Sequence, residues 1–315
     1  MSSPVHAETL RVRSWWRACR SGVHARPDLL LLTAALAGGC QRAAPPSQFP
    51  SAQHAIARMR ASQSCSRAVT GEAKLDYFGK AGRVRGSVLY IAAAPEQVRF
   101  DVFSPFGATL STLTSDGARF ALYELANKSF LRGPALACNL RRFTRIPLPP
   151  HAFVQLLRGE APVLVHAPAE AGIDWDAGSY RLRIRGKHRA EQEIRLVPAD
   201  ADWNLNWSEQ RVRVLQVSVR QADVPLYRVE LEGHARAATA EARVDPDGID
   251  PPLLPSGPAC QAELPRRLHF VVESGEAQDV VLATHDVSHN PPLVPSIFQQ
   301  PVPAGVTVRS SLCAD

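Results

Sequence analysis

A mainly β fold with a few short helices is predicted by three features of the chain. The first is period-two alternation, clearest between Glu96 and Glu124. There Val98, Phe100 and Val102 face one way, and Gln97, Arg99 and Asp101 the other. Such a pattern marks a strand with one buried and one wet face. The second is the chemistry between the alternating runs. Ser104-Pro105-Phe106-Gly107 and Asp116-Gly117 are turn sequences that join neighbouring strands into an antiparallel meander. The third is the scarcity of helical spacing, clear only in 51–65 and 148–159. About ten to twelve strands result, and one antiparallel sheet of that size must curl or leave its edges exposed.

The N-terminus indicates where such a domain resides. Leu29–Leu36 is an apolar run far short of the roughly 20 residues that span a bilayer. Arg11, Arg13, Arg17, Arg20 and Arg26 precede it, and Ala37-Gly38-Gly39 lead to Cys40. Together these make residues 1–39 a secretory signal. Leu-Ala-Gly-Gly-Cys resembles a bacterial lipobox, which implies acylation of Cys40 and its place as first residue of the mature chain. The alternative is an ordinary signal with a chance cysteine. Gln41, rather than Asp, follows the cysteine, which under the Gram-negative lipoprotein sorting rule permits export to the outer membrane, the expected location. Residues 40–50 then form a lipidated, Pro-containing tether expected to stay extended, and 51–315 the folded domain. A net charge of +6 suits an anionic membrane surface without specifying a partner.

Cys65, Cys138, Cys260 and Cys313 remain, an even number in an oxidising compartment. The favoured pairing is Cys65–Cys138 with Cys260–Cys313, each within its own half of the chain; the alternative is four unpaired buried thiols.

In chain order, Ser51 caps a helix with a narrow stripe of Ala55, Ile56, Met59 and Ala61. Strands over 69–78 and 83–92 flank a Gly-Lys-Ala-Gly connection, and the central meander follows. In it Leu110, Thr112 and Thr114 oppose Leu113, and the third strand carries Phe120 and Leu122. Pro149 and Pro150 suit the first turn of the second helix, whose stripe is Phe153, Leu156 and Leu157 and whose cap is Gly159. Strands are expected over 179–186, 191–198, 211–220 and 225–233, with a bulge at Leu215-Gln216. After a Pro-rich excursion over 245–258, the strands 266–273 and 279–287 form a hairpin around Ser274-Gly275-Glu276.

No catalytic constellation is evident. A GxSxG elbow, a Gly-rich phosphate loop and an HExxH helix are all missing from the sequence. Asp174 and Asp176 flank Trp175 in a segment that reads as a turn leading into a strand. His285 and His289, four apart on a strand-to-loop run, do not make a metal clamp. His151 reads as a solvated first-turn residue, and Arg141, Arg142 and Arg145 as a solvated basic cluster. No enzyme activity, metal, cofactor or nucleic-acid partner is expected.

A lipobox cysteine, a short N-terminal helix, Arg-Val-Arg-Gly-Ser at 83–87, Pro-Glu-Gln-Val-Arg-Phe-Asp at 95–101, Ser-Pro-Phe-Gly at 104–107 and Leu-Leu-Arg-Gly at 156–159 resemble the LolA/LolB superfamily, more narrowly LolB-like lipoproteins. The resemblance implies a curved, incomplete antiparallel barrel of about eleven strands, its concave face covered by helices. It further implies an apolar cavity for the acyl chains of lipoproteins or other lipid. Val98, Phe100, Val102, Leu113, Phe120, Leu122, Phe153, Leu156 and Leu157 would line or border it. Pro105, Phe106 and Gly107 match the family's protruding loop, with Phe106 as its exposed apolar residue. The expected function is therefore that of a monomeric, periplasm-facing outer-membrane lipoprotein in lipoprotein localisation or insertion, served by a periplasmic carrier. The alternative is an accessory lipoprotein of an envelope complex that uses the same fold to bind protein.

Overall fold

The computed structural model describes residues 42–315 apart from 81, 145, 147, 273–277, 312 and 314–315. The signal segment, Cys40, Arg145 and the Ser274-Gly275-Glu276 turn lie outside the described residues.

Helix α1 (Ala52–Gln63) starts where the side chain of Ser51 accepts the His54 N–H, and buries Ala55, Ile56 and Met59. The first half of the chain then gives β1 (Ala68–Gly79), β2 (Gly82–Ala93), β3 (Gln97–Phe103), β4 (Thr109–Ser115), β5 (Arg119–Glu124) and β6 (Ser129–Pro134). Two helices follow, α2 (Ala137–Thr144) and α3 (Pro150–Leu157). The second half supplies β7 (Ala171–Asp176), β8 (Ser179–Arg185), β9 (Ala190–Pro198), β10 (Val212–Gln221) and β11 (Val224–Glu232). The short strands β12 (Ala235–Arg236), β13 (Ala238–Thr239) and β14 (Glu263–Leu264) precede β15 (Arg267–Val272), β16 (Gln278–His289) and β17 (Thr307–Ser310).

Fifteen of these strands make one open sheet along the path β17-β6-β5-β4-β3-β2-β1-β16-β15-β11-β10-β9-β8-β7, with β13 joined to β16. This corrects the expected eleven-stranded antiparallel barrel. The sheet is larger, and it is mixed, because β17 runs parallel to β6 and β13 parallel to β16. It is also strongly curled. β3 and β15 lie four steps apart in the strand order, which in a flat sheet is about 19 Å at roughly 4.8 Å per strand. The ring of Phe153 nevertheless stands 5.4 Å from that of Phe100 and 5.8 Å from that of Phe270, which brings the two strand rings within about 11 Å of each other. One α3 side chain thus bridges the bend. The inward residues of the strands, the α3 stripe and Ala55, Ile56 and Met59 of α1 form one buried cluster, whereas Ala61, expected in the α1 stripe, is exposed.

Three further local findings depart from or refine the expectations. Ala171–Asp176 is a strand, and the turn is confined to Ala177-Gly178, both at positive φ as a tight hairpin requires. The bulge in β10 falls between Val214 and Gln216, as the broken alternation predicts. Helix α2 was not expected, since its eight residues are few and its Arg141-Arg142 pair reads as solvated basic surface. It is pinned instead by the Asn139 amide, which donates to the Pro134 carbonyl at 2.9 Å, and by a disulfide from Cys138.

The disulfides join Cys65 to Cys260 and Cys138 to Cys313, not the within-half pairs expected. The reason lies in the sheet. β1 pairs with β16, which brings the residues just before β1 beside those of the second half. Asn290 then donates to the carbonyls of both Cys65 and Pro258, holding the two segments together. Likewise β17 adds to β6 and delivers Cys313 to α2.

The described part of the tether is not a free spacer. Phe49 is buried against Tyr180, at 4.9 Å between centroids, and Trp207, at 6.1 Å. Ser47 accepts the Trp207 N–H through its hydroxyl and the Gln210 amide through its carbonyl.

Candidate functional site

The inner face of the central meander is apolar because the register stacks like with like. Val88 faces Val102, Tyr90 faces Phe100, and Phe100 faces Leu113, which faces Leu122. Over this face the segment from α2 to α3 leaves a pocket of about 110 Å³. Phe100, Val102, Leu113, Leu122 and Phe153 line it, with Leu75, Val280 and Leu282 from the neighbouring strands and Thr144 and Ile146 from the covering segment. Val98 borders a smaller adjoining space beneath Leu140, Ile146 and Leu148. Phe120, Leu156 and Leu157 are buried but line neither space. Six of the nine expected residues therefore meet around one apolar region, while the other three are core. Leu75, Ile146, Val280 and Leu282 went unnamed in the sequence, although each sits at an alternating or turn-flanking apolar position.

The loop after β3 ends in an exposed aromatic. The ring of Phe106 is 96% exposed, on a turn that its own residues hold. Gly107 N–H donates to the Ser104 carbonyl, and the Ser104 hydroxyl accepts the N–H groups of Phe106 and Ala108. Gly107 takes φ +81°, open to glycine at little cost. Pro105 and Gly107 are exposed beside it.

Other singled-out residues resolve into structural roles. Asp174 is gripped by Arg181, which lowers its pKa, and Asp176 pairs with Arg181 and Arg195. His285 is the extra residue of a bulge opposite Glu72 and Ala73, so it points to solvent while His289 points inward. The His289 ring is fully buried between the Ser66 hydroxyl and the Ala262 carbonyl, each at 2.9 Å. His151 and Arg141 are exposed. Arg158 donates to the Gln63 and Ser66 carbonyls, closing the end of α1. Among the described residues no cluster of three or more His, Cys, Asp or Glu could hold a metal ion, and no helix is long and apolar enough to cross a membrane. A larger groove of about 880 Å³ runs beside β7–β11, but Arg183, Arg220 and Arg228 on its walls pair with nearby carboxylates.

No family model and no curated protein matches the chain. Among solved structures it is similar to a LolA-superfamily protein from Nitrosomonas europaea, with 9% identity and a TM-score of 0.48 over 80% of this chain and 99% of that one. It is also similar to a DUF1329-family protein from Desulfovibrio piger, with 10% identity and a TM-score of 0.49 over 78% of this chain and 95% of that one. At these levels the likeness carries no argument about function.

Proposed function

We propose that this chain is an outer-membrane lipoprotein, anchored through Cys40 on the periplasmic side, that shelters acyl chains during lipoprotein localisation or insertion. The observation that carries this reading is the apolar pocket between the meander and the α2–α3 segment. It works by the hydrophobic effect, each methylene hidden from water contributing about 0.8 kcal/mol, and it asks no side chain to do chemistry. At about 110 Å³ the pocket is smaller than the roughly 150 Å³ apolar cavity that holds a benzene. An acyl chain therefore enters only as the covering side chains of Thr144, Ile146 and Phe153 lift from Leu113 and Leu122. Phe106 is the contact by which cargo is passed, entering an acyl boundary or a partner's apolar groove.

The test is binding of a fluorescent fatty acid to the folded domain. Val102→Trp fills the pocket from a half-exposed position, so it should weaken probe binding at least about tenfold, a loss of roughly 1.4 kcal/mol, while the melting temperature moves little. Unchanged binding in this variant would remove the pocket from consideration. The small volume also favours a second reading, an accessory lipoprotein that uses the same surface to hold a protein partner; absence of any fatty-acid binding in the native protein would select it.

A further inference from the structure

The two ends of the curled sheet differ in chemistry. Following the register from strand to strand, the β1–β2, β3–β4, β10–β11 and β8–β9 turns share one end, and Phe106 stands there. The β7–β8 turn and the β9–β10 connection share the other end. That second end holds Trp175, Trp203 and Trp207, every tryptophan the chain has beyond residue 16. All three are half-buried, and Leu205 beside them is exposed. The described chain also begins at this end. The Arg42 guanidinium lies 3.4 Å over the Trp203 ring and bonds Asp200, while Trp175 Nε1 donates to the Arg42 carbonyl at 3.1 Å.

We propose that this tryptophan-bearing end is the face on which the domain seats against the bilayer that holds Cys40. The inference rests on the reading of Cys40 as the anchor and adds an orientation to it. Cys40 precedes Arg42 by two residues, a reach of at most about 7 Å. An acylated Cys40 therefore draws the Arg42–Trp203 end to the surface rather than letting the domain swing on a long leash. Tryptophan suits that depth, because its ring is apolar and its N–H wants a polar neighbour. Phe106 is then held away from this bilayer by a strand length, about 24 Å for β3, against a headgroup layer of about 5–7 Å. In this pose its ring meets an approaching partner's apolar groove, not the anchoring membrane.

The native tryptophans report the orientation directly. Residues 40–315 with both disulfides intact have one free thiol, Cys40, which couples to a maleimide-headgroup lipid in vesicles. On vesicles brominated close to the headgroup, tryptophan emission should fall relative to unbrominated vesicles, and a Cys40→Ala control should show no fall. In a Phe106→Trp variant the added emission should escape quenching. Unquenched native tryptophans on coupled protein, or quenching confined to the residue at position 106, would overturn the proposal. Because coupling places the anchor chemically, absence of palmitate label on Cys40 in cells would overturn only the lipoprotein reading.

Discussion

At the scale of single residues, burial separates the side chains that hold the fold from those free to do something else. Phe106, 96% exposed, stabilises nothing in the free domain. Phe106→Glu should therefore leave stability within about 0.5 kcal/mol while reducing transfer of an acylated cargo between the domain and a soluble carrier protein; normal transfer by this variant would end that role. Leu156 is the opposite case. Fully buried and off the pocket, it should cost about 2–5 kcal/mol when replaced by Ala, with fatty-acid binding per folded molecule preserved. Calorimetry beside a binding titration tells the two apart. The inward residues Val98, Phe100, Leu113 and Leu122 were legible, because alternation names the buried face of a strand without knowing its neighbours. Which of them meet empty space was not. The pocket exists where Val280, Leu282 and Ile146 arrive from distant parts of the chain, and no local pattern encodes that arrival.

At the scale of elements, what was legible is what is local. Adjacent hairpins, the β10 bulge and the cap of α1 all follow from turn chemistry and spacing within a dozen residues. The tether and the disulfides did not follow. Phe49 reads as part of a Pro-rich spacer until Tyr180 and Trp207 are beside it. The cysteines could be paired only by knowing that β1 lies against β16 and β17 against β6. Each bridge closes a long loop, with sequence separations of 195 and 175, so removing either should cost about 2–5 kcal/mol. The effects should differ in place. Replacing Cys138 and Cys313 by Ser is expected to loosen β17 first, seen as faster proteolysis near the C-terminus. Replacing Cys65 and Cys260 should lower the whole unfolding transition, because that bridge ties the start of β1 to the second half. Equal, uniform losses in both variants would contradict this division.

At the scale of the whole molecule, the buried His289 and the half-buried His234 give stability a pH dependence. Burial holds His234 down to about 4, and burial also lowers His289 from its usual 6.5. An unfolded chain takes up protons on both rings below about pH 6.5 that the folded chain refuses, so their contribution to stability falls as pH drops from 6.5 toward 4, while burial of Glu160, which raises its pKa, acts in the opposite sense. Arg211 keeps Asp202 charged well below the usual carboxylate range, so that carboxylate adds its loss only at lower pH. Urea midpoints between pH 7.5 and 4 check the slope, and His234→Gln should flatten it; an unchanged slope would return the effect to other groups. The β1–β16 pairing has a last consequence, in time rather than in space. β1 gains one neighbour at once from β2, but Phe78 waits for Asp279 to gain the other. Asp279 lies about 200 residues after Phe78, so that side of the central strand stays unpaired until most of the chain has emerged. A nascent chain of this kind carries an open strand edge through most of its making, and something other than its own sheet must keep that edge from sticking to a neighbour.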